Sequence, residues 1–218
     1  MTATASDTSS QAPQPATPLG LAYWRLFTAS VISNVGDGIG TIAYPWLATA
    51  VTRNPLLIAM VAVVQRLPWL IVSLPAGVIT DRVDRRNLMV QANVARGVLT
   101  TVVAFFVLSR QGSLPGPDEV ESFAGSTDGV LYGLILLATL LLGTAEVLYD
   151  NTNQTILPSI VDQPNLEKAN GRMWSAEQVA NTFIGPPLGA LLLVAAFSVP
   201  FFVDAGTFFV SAALIATL

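Results

Sequence analysis

Residues 77–86 read GVITDRVDRR, and they place two aspartates and three arginines between two long apolar segments. Elsewhere charged residues are scarce: they make up 11% of the 218-residue chain, while hydrophobic residues make up 52%. Soluble domains carry about 25% charged residues, because their surfaces must be solvated. The composition therefore indicates a membrane protein, and the charged stretch marks a loop outside the bilayer.

Six apolar runs are close to or above the roughly 20 residues that an α-helix needs to cross the hydrocarbon core. They extend over about 24–51, 56–80, 88–109, 130–149, 174–197 and 200–218. Repeated runs of this length and apolarity are untypical of the buried helices of soluble proteins. Backbone groups inside lipid must all be hydrogen bonded, which favours helices over open strands. The expected fold class is an all-α membrane protein with six transmembrane helices.

Positive charges in the short loops predict the orientation of these helices, since such charges favour the cytoplasmic side. One side carries Arg25, Arg82, Arg85, Arg86, Lys168 and Arg172, and the other carries Arg53 and Arg110. The amino terminus is therefore expected in the cytoplasm, with the small, polar and proline-rich residues 1–20 as a disordered cytoplasmic tail. The loop 111–129 has four acids and no base, as suits an external loop.

The six runs divide into two sets of three, 21–109 and 130–218, that begin on opposite sides of the membrane. Inverted three-helix repeats of this kind build secondary transporters. We therefore expect the six helices to be arranged as two inverted three-helix repeats.

The charged stretch resembles the signature between the second and third helices of the major facilitator superfamily. That signature reads glycine, three residues, Asp-Arg, two residues, and Arg-Arg or Arg-Lys, and Gly77, Asp81, Arg82, Arg85 and Arg86 match it. A merely basic loop that fixes topology is the alternative, but it explains neither Asp81 nor the spacing from Gly77. The resemblance implies a cytoplasmic gate loop, in which Asp81 faces the amino end of a helix in a second half and the arginines hold it in place.

Nearly all of the chain after residue 20 is similar to a bacterial branch of this superfamily that contains macrolide and siderophore exporters. The similar stretches include SNVGDGIGTIAYPWLATAVT in the first helix and LLGTAEVLYDNTNQTILPSIV around the fourth. Within the signature, Asp84 stands where many members have glycine, so the turn is expected to use the Asp side chain. The resemblance implies that residues 21–218 form an amino-terminal six-helix half, with the carboxy-terminal half absent.

A helix-kink element is expected in the fifth helix. Gly185, Pro186 and Gly189 resemble the Gly-Pro-x-x-Gly-Gly element of antiporters, with Ala190 in place of the last glycine. Proline inside a span bends a helix, and small residues let a neighbouring helix approach closely. The glycines on either side of Asp37 predict close packing of the first helix as well.

Four ionisable residues inside the spans or at the end of one are candidates for proton coupling or for lining a cavity, because a charge near the bilayer centre costs about 2.5–3.5 kcal/mol. They are Asp37, Arg66, Glu146 and Asp150. Asp37 and Arg66 lie about halfway through their spans and are expected to form an ion pair, either functional or purely structural. Glu146 and Asp150 share a helix face and suit a proton carrier, unless Asp150 pairs with a loop arginine.

We expect supporting roles for several other polar and aromatic residues in the spans. Arg96, a short distance inside the third helix, is expected to neutralise Glu146. Glu177 and Asp204 lie near the expected starts of the fifth and sixth helices, which favours solvated or capping roles. Candidates for an aromatic pocket wall are Tyr44, Trp46, Trp69 and Phe183, although aromatic side chains that face lipid are commoner.

The residue types exclude several classes of function. The chain has no cysteine and no histidine, which excludes disulfides, Cys/His zinc sites and catalysis by a thiol or an imidazole. A phosphate loop of the Gly-x-x-x-x-Gly-Lys-Ser/Thr type is also absent from the sequence. We therefore expect neither an enzyme nor a metal or other cofactor, and the charge pattern is not basic enough for nucleic acid.

These observations predict a multi-pass transporter of the bacterial cytoplasmic membrane that exports a small amphipathic molecule in exchange for protons. Its expected partners are the lipid bilayer, the substrate and protons. The alternative is a truncated or non-transporting half-size membrane protein, acting as a fragment or subunit, because the chain stops within or just after the sixth span. A second six-helix half or a homodimer is a further expected partner.

Overall fold

A computed structural model describes residues 18–110, 112 and 128–218 of the chain. The tail predicted over residues 1–20 and the external loop predicted over residues 111–129 lie almost entirely outside the described residues. The described residues form helices joined by short connections, and they include no strand. The all-α prediction is therefore confirmed for this part of the chain.

Seven α-helices follow one another in the described ranges. They are α1 (Leu21–Val51), α2 (Pro55–Thr80), α3 (Arg85–Arg110), α4 (Gly129–Ile160), α5 (Leu166–Gln178), α6 (Gly185–Ala195) and α7 (Val199–Ala216). A 3₁₀ turn, Gln163–Asn165, precedes α5, and a π-helical segment, Val179–Ile184, joins α5 to α6. Residues 163–195 therefore form one continuous helical unit.

Among the described residues, five helical units are long and apolar enough to cross a membrane. They are α2, α3, α4, the unit 163–195 and α7. The first helix is not among them, although it has 31 residues. It carries Asn34 and Asp37 and packs against α2, α4, α5, α6 and α7. Because other helices cover α1 on several sides, its composition need not match that of a lipid-facing helix.

Two helices extend beyond their predicted bounds through polar residues. The fourth helix continues to Ile160, not 149, and Asn151 and Thr152 donate hydrogen bonds to backbone carbonyls one turn earlier. The helix of the fifth span begins at Leu166, not 174, so Lys168 lies on α5 and not in a loop. Apolar runs mark only the part of a helix that suits lipid, and polar side chains can extend the helix beyond it.

The interior is layered along the helix axes. One apolar cluster surrounds Leu47, Leu131 and Phe201, where α1 ends and α4 begins. A second surrounds Tyr23 and Ile215 at the opposite end of the bundle. Buried polar side chains lie between the two clusters, and they include Ser30, Ser33, Asn93, Arg96, Thr100, Asn153, Asp204 and Ser211. The apolar clusters thus enclose a polar layer.

Contacts between helix ends show which ends lie on the same side of the bundle. Arg25 at the start of α1 and Arg86 at the start of α3 each donate a hydrogen bond to a carbonyl at the end of α7. At the opposite end of the bundle, the backbone N–H of Asp128 donates to the carbonyl of Val51 at 3.3 Å. The starts of α1 and α3 therefore share one end of the bundle with the end of α7.

The outer surface of α2 is strongly apolar. Leu70 and Leu74 are 80% and 83% exposed, and only 11% of the most apolar part of α2 is buried. Exposed apolar surface of this extent suits lipid or another protein, not water. This helix therefore forms part of the outer face of the bundle.

Candidate functional site

A small cavity lies in the polar layer. Its walls carry one acidic or basic side chain from each of five helices, namely Asp37, Arg66, Arg96, Glu146 and Asp204. The cavity offers about 50 Å³ to the centres of water molecules, and one water needs about 10–15 Å³ measured in this way. The bundle therefore concentrates ionisable groups around a space that fits a few waters.

An ion pair joins Arg96 of α3 to Asp37 of α1, through Nη2 and Oδ1. Arg96 is only 1% exposed. Its Nη1 donates to Ser33 Oγ at 3.3 Å and to Asn93 Oδ1 at 3.4 Å. The guanidinium carbon lies 4.0 Å from the centre of the Phe208 ring, within the range of a cation–π contact. Arg96 thus links α3 to both α1 and α7.

The predicted ion pair between Asp37 and Arg66 is wrong. Both residues line the cavity, but Asp37 pairs with Arg96, and Arg66 is exposed on α2 without an ion pair in the described ranges. The position of a residue along a span indicates its depth but not which face of the helix meets a given neighbour. The prediction that Arg96 neutralises Glu146 is wrong for the same reason, since Arg96 pairs with Asp37.

Glu146 and Asp150 differ in their surroundings, although they lie one turn apart on α4. Glu146 lies on the cavity wall, whereas Asp150 is partly buried outside it. Among the described residues neither carboxylate forms a hydrogen bond or an ion pair. The alternative pairing of Asp150 with a loop arginine is therefore not observed, and proton carriage by these two residues stays a prediction.

Glu177 of α5 belongs to a second polar cluster, which the sequence does not single out. It accepts hydrogen bonds from Ser30 Oγ at 2.5 Å and from Asn153 Nδ2 at 2.8 Å. The expected solvated or capping role of Glu177 is wrong, because α5 begins at Leu166 and carries this residue into the bundle. The three residues connect α1, α4 and α5.

Asp204 of α7 is 3% exposed and lies on the cavity wall, so its expected solvated or capping role is wrong. The start of α7 is itself buried, since Pro200 and Phe201 lie in the interior. Depth counted from the first residue of a helix therefore misplaces Asp204. A sequence signal was present: no charged residue follows Asp204 up to Leu218, and a lone acid in an apolar segment points to burial.

The aromatic candidates divide into two groups. Tyr44 and Trp69 line the cavity. Trp46 and Phe183 are 45% and 72% exposed on the outside of the bundle. Tyr44 is fixed by an edge-to-face contact with Phe201, whose ring centre lies 4.9 Å away. Only the first two are therefore placed to contact an occupant of this cavity.

The charged stretch 77–86 forms the turn between α2 and α3. Asp84 Oδ1 accepts the backbone N–H of Asn87 at 2.7 Å, and its own carbonyl accepts that of Leu88 at 2.9 Å. This geometry is that of a helix N-cap, in which the side chain satisfies a free amide of the first turn. The expectation that the turn uses the Asp84 side chain in place of glycine is confirmed.

The resemblance implies that the loop arginines hold Asp81 in place, but no such contact is observed among the described residues. Asp81 is exposed at the end of α2, and in the described part of the chain it forms no ion pair. Arg86 donates to the carbonyl of Ala216, and Arg25 donates to that of Thr217 at 2.7 Å. Basic groups at the carboxyl end of a helix stabilise it, because its last carbonyls carry partial negative charge.

The kink element lies where α6 touches α1. The π-helical segment ends directly before Gly185. A Cβ on Gly185 would lie 2.5 Å from Gly38 Cα, and a Cβ on Gly189 would lie 2.9 Å from a backbone oxygen of α1. Both glycines therefore permit the two backbones to meet. Pro186 lies inside the continuous helical unit, just after the π-helical segment, and because proline has no backbone N–H it interrupts the helical hydrogen bonds there.

Residues 14–218 match the family described as transmembrane secretion effector, which is of the major facilitator type. The chain belongs to this family. No curated protein and no solved structure matches it. Membership in the transmembrane secretion effector family, together with five membrane-length apolar helices, confirms a multi-pass membrane protein of a transporter family. Such membership does not favour an enzyme or a non-transporting subunit.

Proposed function

We propose that the protein is a secondary transporter of the bacterial cytoplasmic membrane that exports a small amphipathic molecule in exchange for protons. Membership in the transmembrane secretion effector family supports a transporter. The resemblance to the branch with macrolide and siderophore exporters supports the amphipathic substrate. Coupling to protons is supported by the ion pair between Asp37 and Arg96, which lies on the wall of a water-sized cavity.

The ion pair suits a coupling device because it joins two helices through a titratable group. While Asp37 is ionised, Arg96 holds α3 to α1. A proton on Asp37 would remove the charge that attracts the guanidinium and so weaken the link between these helices. Loading and release of the proton would then bias the bundle between two arrangements.

The proposed topology has six spans, with α1 as the covered span, arranged as two inverted three-helix repeats. The end of the bundle that holds the starts of α1 and α3 carries Arg25, Arg86 and the other arginines of the charged stretch. This excess of positive charge supports a cytoplasmic amino terminus. Residues 21–218 would form one half of a transporter, paired with a second six-helix half or with a second copy of the chain.

The loop 77–86 would act as the cytoplasmic gate. Asp81 is exposed and without an ion pair in the described residues, so its carboxylate is open to a helix amino terminus on the opposing half. A Cβ on Gly77 would meet nothing within 4 Å of the described chain. Packing inside this chain therefore does not require the glycine, whereas close approach of an opposing helix would.

Transport into everted membrane vesicles from cells that make the protein tests this function. The probe is the amphipathic dye Hoechst 33342, whose fluorescence reports its location, and an acid-inside pH gradient is the driving force. We expect uptake that nigericin abolishes and that falls to background in Asp37→Asn vesicles containing equal amounts of protein.

The matched control is Asp128→Asn, which removes a carboxylate from the exposed ion pair with Arg110, whose atoms are 3.5 Å apart. This variant should transport like the unmodified protein. Uptake that persists in nigericin, or an Asp37→Asn rate equal to that of the control, would contradict proton coupling through Asp37. Uptake no greater than in vesicles lacking the protein would contradict export of amphipathic dyes.

A further inference from the structure

Asp204 is a buried acid that no hydrogen bond fully satisfies. It is 3% exposed, and its Oδ1 has no hydrogen-bond partner within the described residues. The carboxylate faces α1 at two glycines: a Cβ on Gly36 would lie 2.5 Å from Oδ1, and a Cβ on Gly40 would lie 3.6 Å from Oδ2. The first helix therefore leaves space for the carboxylate but provides no donor to Oδ1.

The nearby buried cation does not neutralise Asp204 directly. Arg96 uses Nη2 for Asp37 and Nη1 for Ser33 and Asn93, and among its nitrogens only Nε is left without a partner in the described chain. One positive charge is therefore matched by Asp37, and Asp204 is an additional acid in the same cluster.

The other charged groups around the cavity come from the remaining helices. Glu146 of α4 has the same sign as Asp204, and Arg66 of α2 lines the same cavity without an ion pair in the described ranges. The ion pair of Asp37 and Arg96 completes the set of charged residues on the wall. An ionised carboxylate without a direct partner in such a site is costly, and a proton that neutralises it removes this cost.

Two buried hydroxyls, that of Tyr44 and that of Thr100 beside it, are also unsatisfied. Tyr44 is 3% exposed, lines the cavity, and lies within electrostatic range of Asp204 and beside Thr100. Neither the Tyr44 hydroxyl nor that of Thr100 has a hydrogen-bond partner by geometry within the described residues. Asp204 and Tyr44 both line the adjacent cavity, so water there would satisfy these two groups, and the cavity has room for a few water molecules.

We propose that Asp204, with the Tyr44 hydroxyl and the waters of the cavity, forms a buried proton-binding site. A hydronium ion in the cavity transfers its proton to a carboxylate oxygen of Asp204, an O–H bond forms, and a neutral water remains. While Asp204 is ionised it competes with Asp37 for Arg96, and once protonated it leaves Arg96 to Asp37. This proposal rests on the proposed function, since it names a second proton-carrying group of the same cycle.

Infrared difference spectroscopy on the purified protein in lipid nanodiscs tests the site without requiring transport. The signal is the carbonyl stretch of a protonated carboxylic acid, followed as pH is changed. We expect a pH-dependent band in the unmodified protein that is lost in Asp204→Asn and retained in Glu177→Gln, which removes a partly buried acid outside the cavity. A band that persists unchanged in Asp204→Asn would overturn the proposal.

Two further variants keep the test decisive if Asp204→Asn fails to fold. Tyr44→Phe retains the acid but removes a neighbouring hydroxyl, and Asp204→Glu retains a carboxyl at a different position. Each should shift the frequency of the band, and an unchanged band in both would overturn the assignment to Asp204. Loss of the band on adding sodium chloride at constant pH, but not choline chloride, would overturn it in favour of a site for an alkali cation.

The spectroscopic result is independent of the vesicle assay. A band from Asp204 in a protein that moves no dye would contradict the proposed export and leave the proton site standing. Proton-driven dye uptake in a protein without this band would contradict the site and leave the proposed function standing.

Discussion

Replacing Asp37 by asparagine should leave a buried guanidinium without its counter-ion. Arg96 is 1% exposed, and the side chain of Asp37 is 13% exposed, so water screens this pair little. Asparagine keeps nearly the same shape and an oxygen that accepts a hydrogen bond, but it carries no charge. The substitution therefore isolates the loss of the negative charge.

Breaking a buried ion pair by removing one partner costs about 3–5 kcal/mol. We expect a cost at the lower end of this range, because asparagine still accepts a hydrogen bond. Asp204 also lies within electrostatic range of Arg96 and partly compensates its charge. We therefore expect Asp37→Asn to lower the free energy of unfolding by about 3 kcal/mol. For a domain of this size each kcal/mol shifts the melting temperature by about 2–4 °C, so the midpoint should fall by about 6–12 °C.

Tryptophan fluorescence during thermal unfolding in detergent measures this change for Asp37→Asn, Arg96→Gln and the double variant. The double variant should be less destabilised than the sum of the two single variants, by about 2 kcal/mol, because removing the second charge no longer leaves an unpaired partner. If the change in unfolding free energy of the double variant equals the sum of the two single changes within about 0.5 kcal/mol, the ion pair is not a source of stability.

The exposed pair of Arg110 and Asp128 provides a matched control cycle. Its side chains are 46% and 39% exposed, and their charged atoms are 3.5 Å apart. Solvent screens such a pair, so the coupling in the cycle of Arg110→Gln and Asp128→Asn should be below about 1 kcal/mol. Equal coupling in both cycles would show that burial is not what strengthens the pair of Asp37 and Arg96.

Gly185→Ala is expected to destabilise the bundle by about 1–3 kcal/mol, because the new Cβ would lie 2.5 Å from Gly38 Cα. Thermal unfolding measures this against Gly133→Ala, whose Cβ meets nothing within 4 Å, and equal midpoints would contradict the close packing of α1 and α6. Arg86→Gln is expected to speed amide hydrogen exchange in the last turn of α7, since it removes the donor to the Ala216 carbonyl. Mass spectrometry would compare it with Arg82→Gln, and the same exchange in both would show that Arg86 does not hold this end of α7.

Several local features could be predicted because they depend on residues close together in the chain. The side chain of Asp84 caps the helix that begins one residue later, as expected where glycine is replaced. Asp37 and Glu146, which the sequence marks as charges inside the spans, lie on a common cavity wall, and their part in proton coupling stays a prediction. Neither inference required knowledge of which helices are neighbours.

The partners of the buried charges could not be predicted in this way. Depth along the spans predicts that Asp37 meets Arg66, but the side chain of Arg96 reaches it from α3. The expected helix starts predict that Glu177 and Asp204 lie near solvent. Both lie in the interior of the bundle, because α5 starts earlier than expected and the start of α7 is buried. Depth in a bundle depends on where a helix begins and on what covers its end.

The sequence by itself determined that the chain is helical and suited to a membrane, because scarce charge and long apolar runs leave few other folds. The charged stretch 77–86 was also sufficient by itself to show the resemblance to the major facilitator superfamily. Only the tertiary structure decided that Arg96 pairs with Asp37, that Asp204 faces a water-sized cavity, and that Gly185 touches Gly38. These contacts depend on the rotation of each helix about its axis and on which helices are neighbours, and the apolar pattern along a lipid-facing chain leaves both open.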